Sequence, residues 1–67
     1  MEETTRDAFG VDEFAARNGL SRGTLYNLWQ RGQGPTYMQV GKRRLISREA
    51  AAAWRRRMEQ RAEQAAA

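Results

Sequence analysis

The side chains best equipped for chemistry in this 67-residue chain are hydrogen-bonding forks and cations, not nucleophiles. Gly23, Tyr26, Asn27 and Gln30 recur at three- and four-residue spacing, which puts them on one side of a helix with Arg22 flanking them near its start. Arginine presents a planar fork that fits phosphate oxygens or guanine edges at two points, and Asn or Gln can pair with adenine in the same way. Further on stand Lys42, Arg43 and Arg44 in succession, and then Arg55, Arg56 and Arg57 with Arg61 one turn later. The chemistry these residues suit is non-covalent recognition of an anionic, hydrogen-bonding polymer.

Other chemistries lack their residues. The chain has no cysteine and no histidine, which removes disulfides, Cys or His zinc sites, thiol nucleophiles and an imidazole base. The carboxylates are dispersed, with no acid–base pair or metal cluster at a defined spacing. An enzyme is therefore not expected, nor any cofactor, metal or catalytic residue. No apolar run approaches the roughly 20 residues of a membrane span, and Met1 to Phe9 is too acidic and polar for a signal peptide. A cytoplasmic protein with no membrane partner is the expectation.

Charge is arranged asymmetrically. Residues 1–20 carry Glu2, Glu3, Asp7, Asp12 and Glu13 against Arg6 and Arg17, a net of −3. Residues 21–67 carry ten bases against Glu49, Glu59 and Glu63, a net of +7. Eleven of the twelve bases are arginine, a bias that favours recognition over mere solubility. A basic patch rich in arginine is the electrostatic footprint of a nucleic-acid binder.

The elements that must position these residues follow from periodicity. Val11, Phe14 and Ala15 have helical spacing, with Asp12 and Glu13 in a first turn that favours negative charge. Asn18-Gly19 stops this helix, because both residues tolerate the left-handed conformation. Ser21 is an N-cap for a second helix, residues 22–31, whose buried side carries Leu25, Leu28 and Trp29. Gly32-Gln33-Gly34-Pro35 ends it.

Residues 36–46 read as a two-stranded hairpin turning at Gly41-Lys42. Met38 and Val40 then share a face expected to pack on the helices, Lys42 and Arg43 occupy the tip, and Ile46 is favoured over Leu45 as the inward residue. Ser47 caps a third helix running from Ala50 towards Ala67, with Ala50, Ala51, Trp54 and Met58 as its core stripe and a last turn or two that frays. Trp29 and Trp54 are expected in the core, not as stacking platforms.

One small domain is implied: of 27 hydrophobic residues, 11 are alanine and one is Met1. A core of that size supplies only about 3–5 kcal/mol, so short loops and well-capped helices must do the rest. The organisation expected is a disordered lead-in over residues 1–8, a domain over residues 9–58 and a helical or frayed extension over residues 59–67. The fold class is mainly α with a small β-hairpin, a winged helix-turn-helix of three helices and a two-stranded wing.

Over residues 9–58 the chain resembles the excisionase and AlpA-like prophage-regulator group of helix-turn-helix proteins, related to the winged helix of the MerR superfamily. The resemblance rests on Val11-Asp12-Glu13-Phe14-Ala15-Ala16, Gly19-Leu20-Ser21, Thr24-Leu25-Tyr26, Gly34-Pro35 with Tyr37, Val40-Gly41 with Arg43, Ser47-Arg48-Glu49-Ala50 and Trp54. Two positions depart from it. Gly23 stands where the group carries a bulkier, often basic residue, and Ala51 where it often has leucine. The ligand-sensing extension of full MerR regulators has no counterpart in the nine residues after Met58.

The resemblance implies sequence-specific binding to double-stranded DNA. Arg22, Gly23, Tyr26, Asn27 and Gln30 are its expected recognition residues, and Ser21, Lys42, Arg43 and Arg44 its phosphate or wing contacts. Arg55, Arg56, Arg57 and Arg61 are candidates for partner or DNA contact. The role implied is an excisionase, or recombination directionality factor, that bends attachment-site DNA for a tyrosine integrase and meets neighbouring copies of itself on adjacent sites. Two alternatives stand beside it: a small prophage-type transcriptional regulator, and an interaction adaptor whose basic C-terminal helix docks on an acidic protein.

Overall fold

The computed structural model describes residues 7–66. In chain order these form β1 (Ala8–Gly10), α1 (Val11–Arg17), α2 (Arg22–Gln30), β2 (Met38–Val40), β3 (Arg43–Ser47) and α3 (Arg48–Ala66). The three helices and the hairpin match the expectation. Residues 1–6 of the expected lead-in lie outside the described residues, and Ala8 belongs to β1 instead.

Both short helices end by the same device. Gly19 and Gly32 take φ of +72° and +71°. Behind the first, the Leu20 amide donates to Ala15 O at 2.8 Å and the Gly19 amide to Ala16 O at 3.2 Å. Behind the second, the Gln33 amide donates to Leu28 O at 2.8 Å and the Gly32 amide to Trp29 O at 3.0 Å. This pair of crossing bonds satisfies the last carbonyls while the left-handed residue redirects the chain. Asn18 adds a side-chain bond, its Nδ2 donating to Phe14 O at 2.8 Å. At the helix starts, Ser21 Oγ accepts from the Thr24 amide at 3.1 Å and Ser47 Oγ from the Ala50 amide at 3.0 Å, as N-caps do.

The sheet has three antiparallel strands in the order β1-β3-β2. β1 is the element that local sequence does not announce. Its three residues are too few to show alternation, and they gain their hydrogen bonds from β3, more than thirty residues away, in the register Phe9 opposite Ile46. That register also decides which hairpin side chains face inward. Ile46 is fully buried and Phe9 shares its face, so Leu45 points outward. Met38 lies opposite Leu45 and Val40 opposite Arg43.

Alternation along β3 therefore turns Met38 and Val40 outward, where they are 46% and 54% exposed. The expectation that they pack on the helices is corrected: the inner positions go to Ile46, and towards the turn to Arg44 and Gln39. The turn itself is Gly41-Lys42, and Arg43 opens β3 opposite Val40 instead of sitting at the tip.

The core is small and central. Phe14, Leu25 and Ile46 are fully buried, with Val11, Ala15, Ala51 and Trp54 around them. Phe14 meets Trp54 edge to face, ring centroids 5.4 Å apart, the arrangement that ring quadrupoles prefer. Pro35 is also fully buried. The loop around it is tied down by both indoles: Trp29 Nε1 donates to Pro35 O at 2.7 Å and Trp54 Nε1 to Gln33 O at 2.9 Å. Ala51 is buried as expected, and Ala50 and Met58 pack partly against the core. Beyond Met58 the helix continues to Ala66 with its side chains in solvent.

Candidate nucleic-acid interface

The Schellman turn at Gly19 holds α1 and α2 at a fixed angle, and the Ser21 cap sets where α2 begins. Arg22 follows at once. Its Nη1 donates to Asp12 Oδ1 of α1 at 2.7 Å, and its guanidinium lies 5.3 Å from the centre of the Tyr26 ring. The hydrogen bond and the charge of Asp12 raise the Arg22 pKa above its ordinary value. Both partners are largely in solvent, which lets another acceptor compete for the guanidinium.

Along α2, Gly23, Asn27 and Gln30 are exposed, as their spacing predicts. Tyr26 differs from expectation. It is half-buried, its ring standing edge to face against Trp29 at 5.2 Å. Trp29, expected in the core, is half-buried and packs against the core cluster, with the Tyr37 ring 4.9 Å away. Arg44 of β3 lies against the same rings. Its guanidinium carbon lies 5.1 Å from the Tyr26 ring centre, 4.9 Å from Trp29 and 4.6 Å from Tyr37, all within cation–π range.

In the hairpin, Gly41 takes φ of +61° and Gln39 Nε2 donates to its carbonyl at 3.0 Å. This turn leaves Lys42 and Arg43 exposed. Arg43 reaches back across β1: its Nη2 would stand 3.1 Å from a Cβ at Gly10. A side chain at position 10 would crowd the guanidinium there, which the flexible Arg43 could relieve by a small shift.

These residues surround one open groove. Arg22 and Tyr26 of α2, Lys42, Arg43 and Arg44 of the hairpin, Asp12 and Glu13 of α1, and Gly10 of β1 line it. The structure thus brings together the start of the second helix and the hairpin cations. The α3 arginines lie elsewhere. Arg55 lines a separate groove with Phe9, Arg17 and Arg48, while Arg57 and Arg61 border a third beside Gly32 and Gln33. Arg57 Nη2 reaches Gly34 O at 3.4 Å.

Three contributors to the site are not visible in the sequence. Asp12 reads there only as a helix-start charge, yet it holds Arg22 from ten residues away. Gly10 lies against the Arg43 guanidinium, and Tyr37 completes the rings around Arg44. Neither helical nor strand periodicity connects such pairs, because the turns between elements set the distance.

Among the described residues no group of His, Cys, Asp and Glu could hold a metal ion, and no helix is long and apolar enough to cross a membrane. No curated protein and no solved structure matches the chain. A family model described as a helix-turn-helix domain matches residues 8–59, well over half of the chain. The chain belongs to this helix-turn-helix family and is a DNA-binding protein of that type.

Proposed function

We propose that this protein is an excisionase: a sequence-specific binder of double-stranded DNA that bends attachment-site DNA so that a tyrosine integrase can excise a mobile element. The observation that carries the reading is the groove that gathers Arg22 with Lys42 and Arg43 beside the exposed flank of α2. In this reading Gly23, Asn27 and Gln30 enter the major groove, Ser21 and Arg22 meet phosphate or guanine, and Lys42 and Arg43 grip the adjacent backbone. Gly23 suits that placement. A Cβ there would meet only Ser21 Oγ, at 4.0 Å, so packing within the protein does not require glycine; the bare backbone leaves room for DNA to come close.

The finer role is supported by the excisionase-like residues between Phe9 and Met58 and by the distribution of cations. Bending requires phosphates to be neutralised beside a recognition element, which the hairpin supplies. Arg55, Arg56 and Arg61, exposed on α3 away from this groove, suit contact with a neighbouring copy on DNA or with the integrase.

The test is a footprint on the DNA flanking the gene, followed by a circular-permutation gel assay on the protected segment. Adjacent protected sites and a bend are expected. Specific binding without a bend rejects the excisionase reading in favour of a prophage-type regulator. No binding at low salt rejects DNA as the partner and leaves an adaptor for an acidic protein.

A further inference from the structure

We propose that Arg44 is a positioning residue: it fixes the hairpin to α2, so that Lys42 and Arg43 stand at a set distance from the base-reading side chains, and it does not itself grip a phosphate. The inference rests on the DNA-binding reading above and adds to it the means by which the two halves of the interface are held in register.

Three observations carry it. First, the sheet packs on α1 and α3, and α2 packs on α1; α2 and the hairpin meet through side chains, Leu25 and Ile46 in the shared core and, towards the turn, the rings around Arg44. Second, Arg44 lies on the inner face of β3, the face of Ile46, unlike Arg43, whose face is outward. It is half-buried where Lys42 and Arg43 are exposed. Third, its guanidinium is within 4.6 to 5.1 Å of three ring centres drawn from α2 and from the segment leading into β2. Stacked guanidinium groups keep their charge while giving up their freedom.

The rings are themselves fixed. Trp29 Nε1 is bonded to Pro35 O at 2.7 Å, and Tyr26 carries Arg22 5.3 Å from its ring centre. Asp12 in turn holds Arg22. A continuous line of side chains therefore runs from α1 through α2 to β3, with Arg44 as its link to the hairpin. Held against these three rings, the guanidinium keeps one position, as alignment requires.

The experiment compares the full chain with Arg44→Met, Tyr37→Leu and Arg43→Met on two duplexes: one selected by the wild type from a random pool, and one of mixed sequence. Affinity is followed against salt by fluorescence anisotropy, after circular dichroism has shown each variant folded. Removing a cation that neutralises a phosphate lowers the salt slope by about one and weakens both duplexes alike. That is the result expected for Arg43→Met.

Arg44→Met is expected to weaken the selected duplex about ten-fold, the cost of one misplaced base-reading side chain. It should leave the mixed duplex within about two-fold and the slope unchanged. Tyr37→Leu, which removes a ring but no charge, should reproduce that pattern and keeps the test open if Arg44→Met fails to fold. A slope lowered by Arg44→Met as by Arg43→Met overturns the proposal, as does equal weakening of both duplexes or no change on either. A wild type that binds neither duplex overturns the DNA-binding reading itself, an outcome distinct from failure of the Arg44 assignment alone.

Discussion

Gly34 lies flush against the indole of Trp29: a Cβ at position 34 would overlap Cδ1 and stand 2.7 Å from Nε1. That same Nε1 donates to Pro35 O, so the ring cannot retreat without giving up its bond. Gly34→Ala is expected to destabilise the domain by about 2 kcal/mol, the usual cost of overpacking together with part of a hydrogen bond. Urea denaturation measures the change, and a red shift of tryptophan emission reports the displaced ring.

Trp54 combines ring packing on Phe14 with a hydrogen bond to Gln33 O. Trp54→Phe keeps the first and removes the second, at a cost of about 1 kcal/mol. Trp54→Ala removes both, at roughly 3–5 kcal/mol, comparable with all the stability so small a core provides. Thermal melts should show a lowered midpoint for the first variant and no cooperative transition for the second.

The sheet register has a direct check. Val40 faces solvent and Ile46 does not. Val40→Thr should change stability by less than about 0.5 kcal/mol, whereas Ile46→Ala should cost roughly 2–5 kcal/mol. Comparable destabilisation at the two positions, measured again by chemical denaturation, would contradict the inward assignment of Ile46.

In the proposed reading, Asp12 competes with DNA for Arg22. Asp12→Asn removes a carboxylate from the groove and releases the guanidinium, so affinity for a mixed-sequence duplex should rise several-fold. The thermal midpoint should hardly move, because a pair so exposed contributes little to stability. Anisotropy titrations at two salt concentrations test this; unchanged or weaker binding would argue against a contest for Arg22.

Base reading and backbone grip should separate by mutation. Asn27→Ala is expected to relax preference at particular base pairs by about 1–3 kcal/mol, with the salt slope retained. Arg43→Ala should weaken all duplexes and flatten the slope by about one. Competition against single-base variants of the selected duplex distinguishes the two.

Much of this is readable in local sequence because the forces are local. Ser21, Gly19, Gly32 and Ser47 act on amides and carbonyls within five residues of themselves, so helix starts and stops can be placed from residue type. The exposure of Gly23, Asn27 and Gln30 follows from spacing alone. Where local sequence misleads, the deciding neighbour is distant. β1 exists only because β3 offers it partners, and Met38 and Val40 turn outward because Ile46 fits the core better. Tyr26 is half-buried against Trp29 of its own helix and against Arg44, which arrives from another element.

The order of residues by itself therefore determined the helix-turn-helix, its caps, the hairpin turn and the basic character of the surface. Each of these depends on backbone preference or on periodicity within one segment. Tertiary structure alone decided which face of the hairpin is buried, that Asp12 holds Arg22, and that Arg44 joins three rings. Those outcomes depend on which elements come to lie side by side, a choice made by the whole core at once.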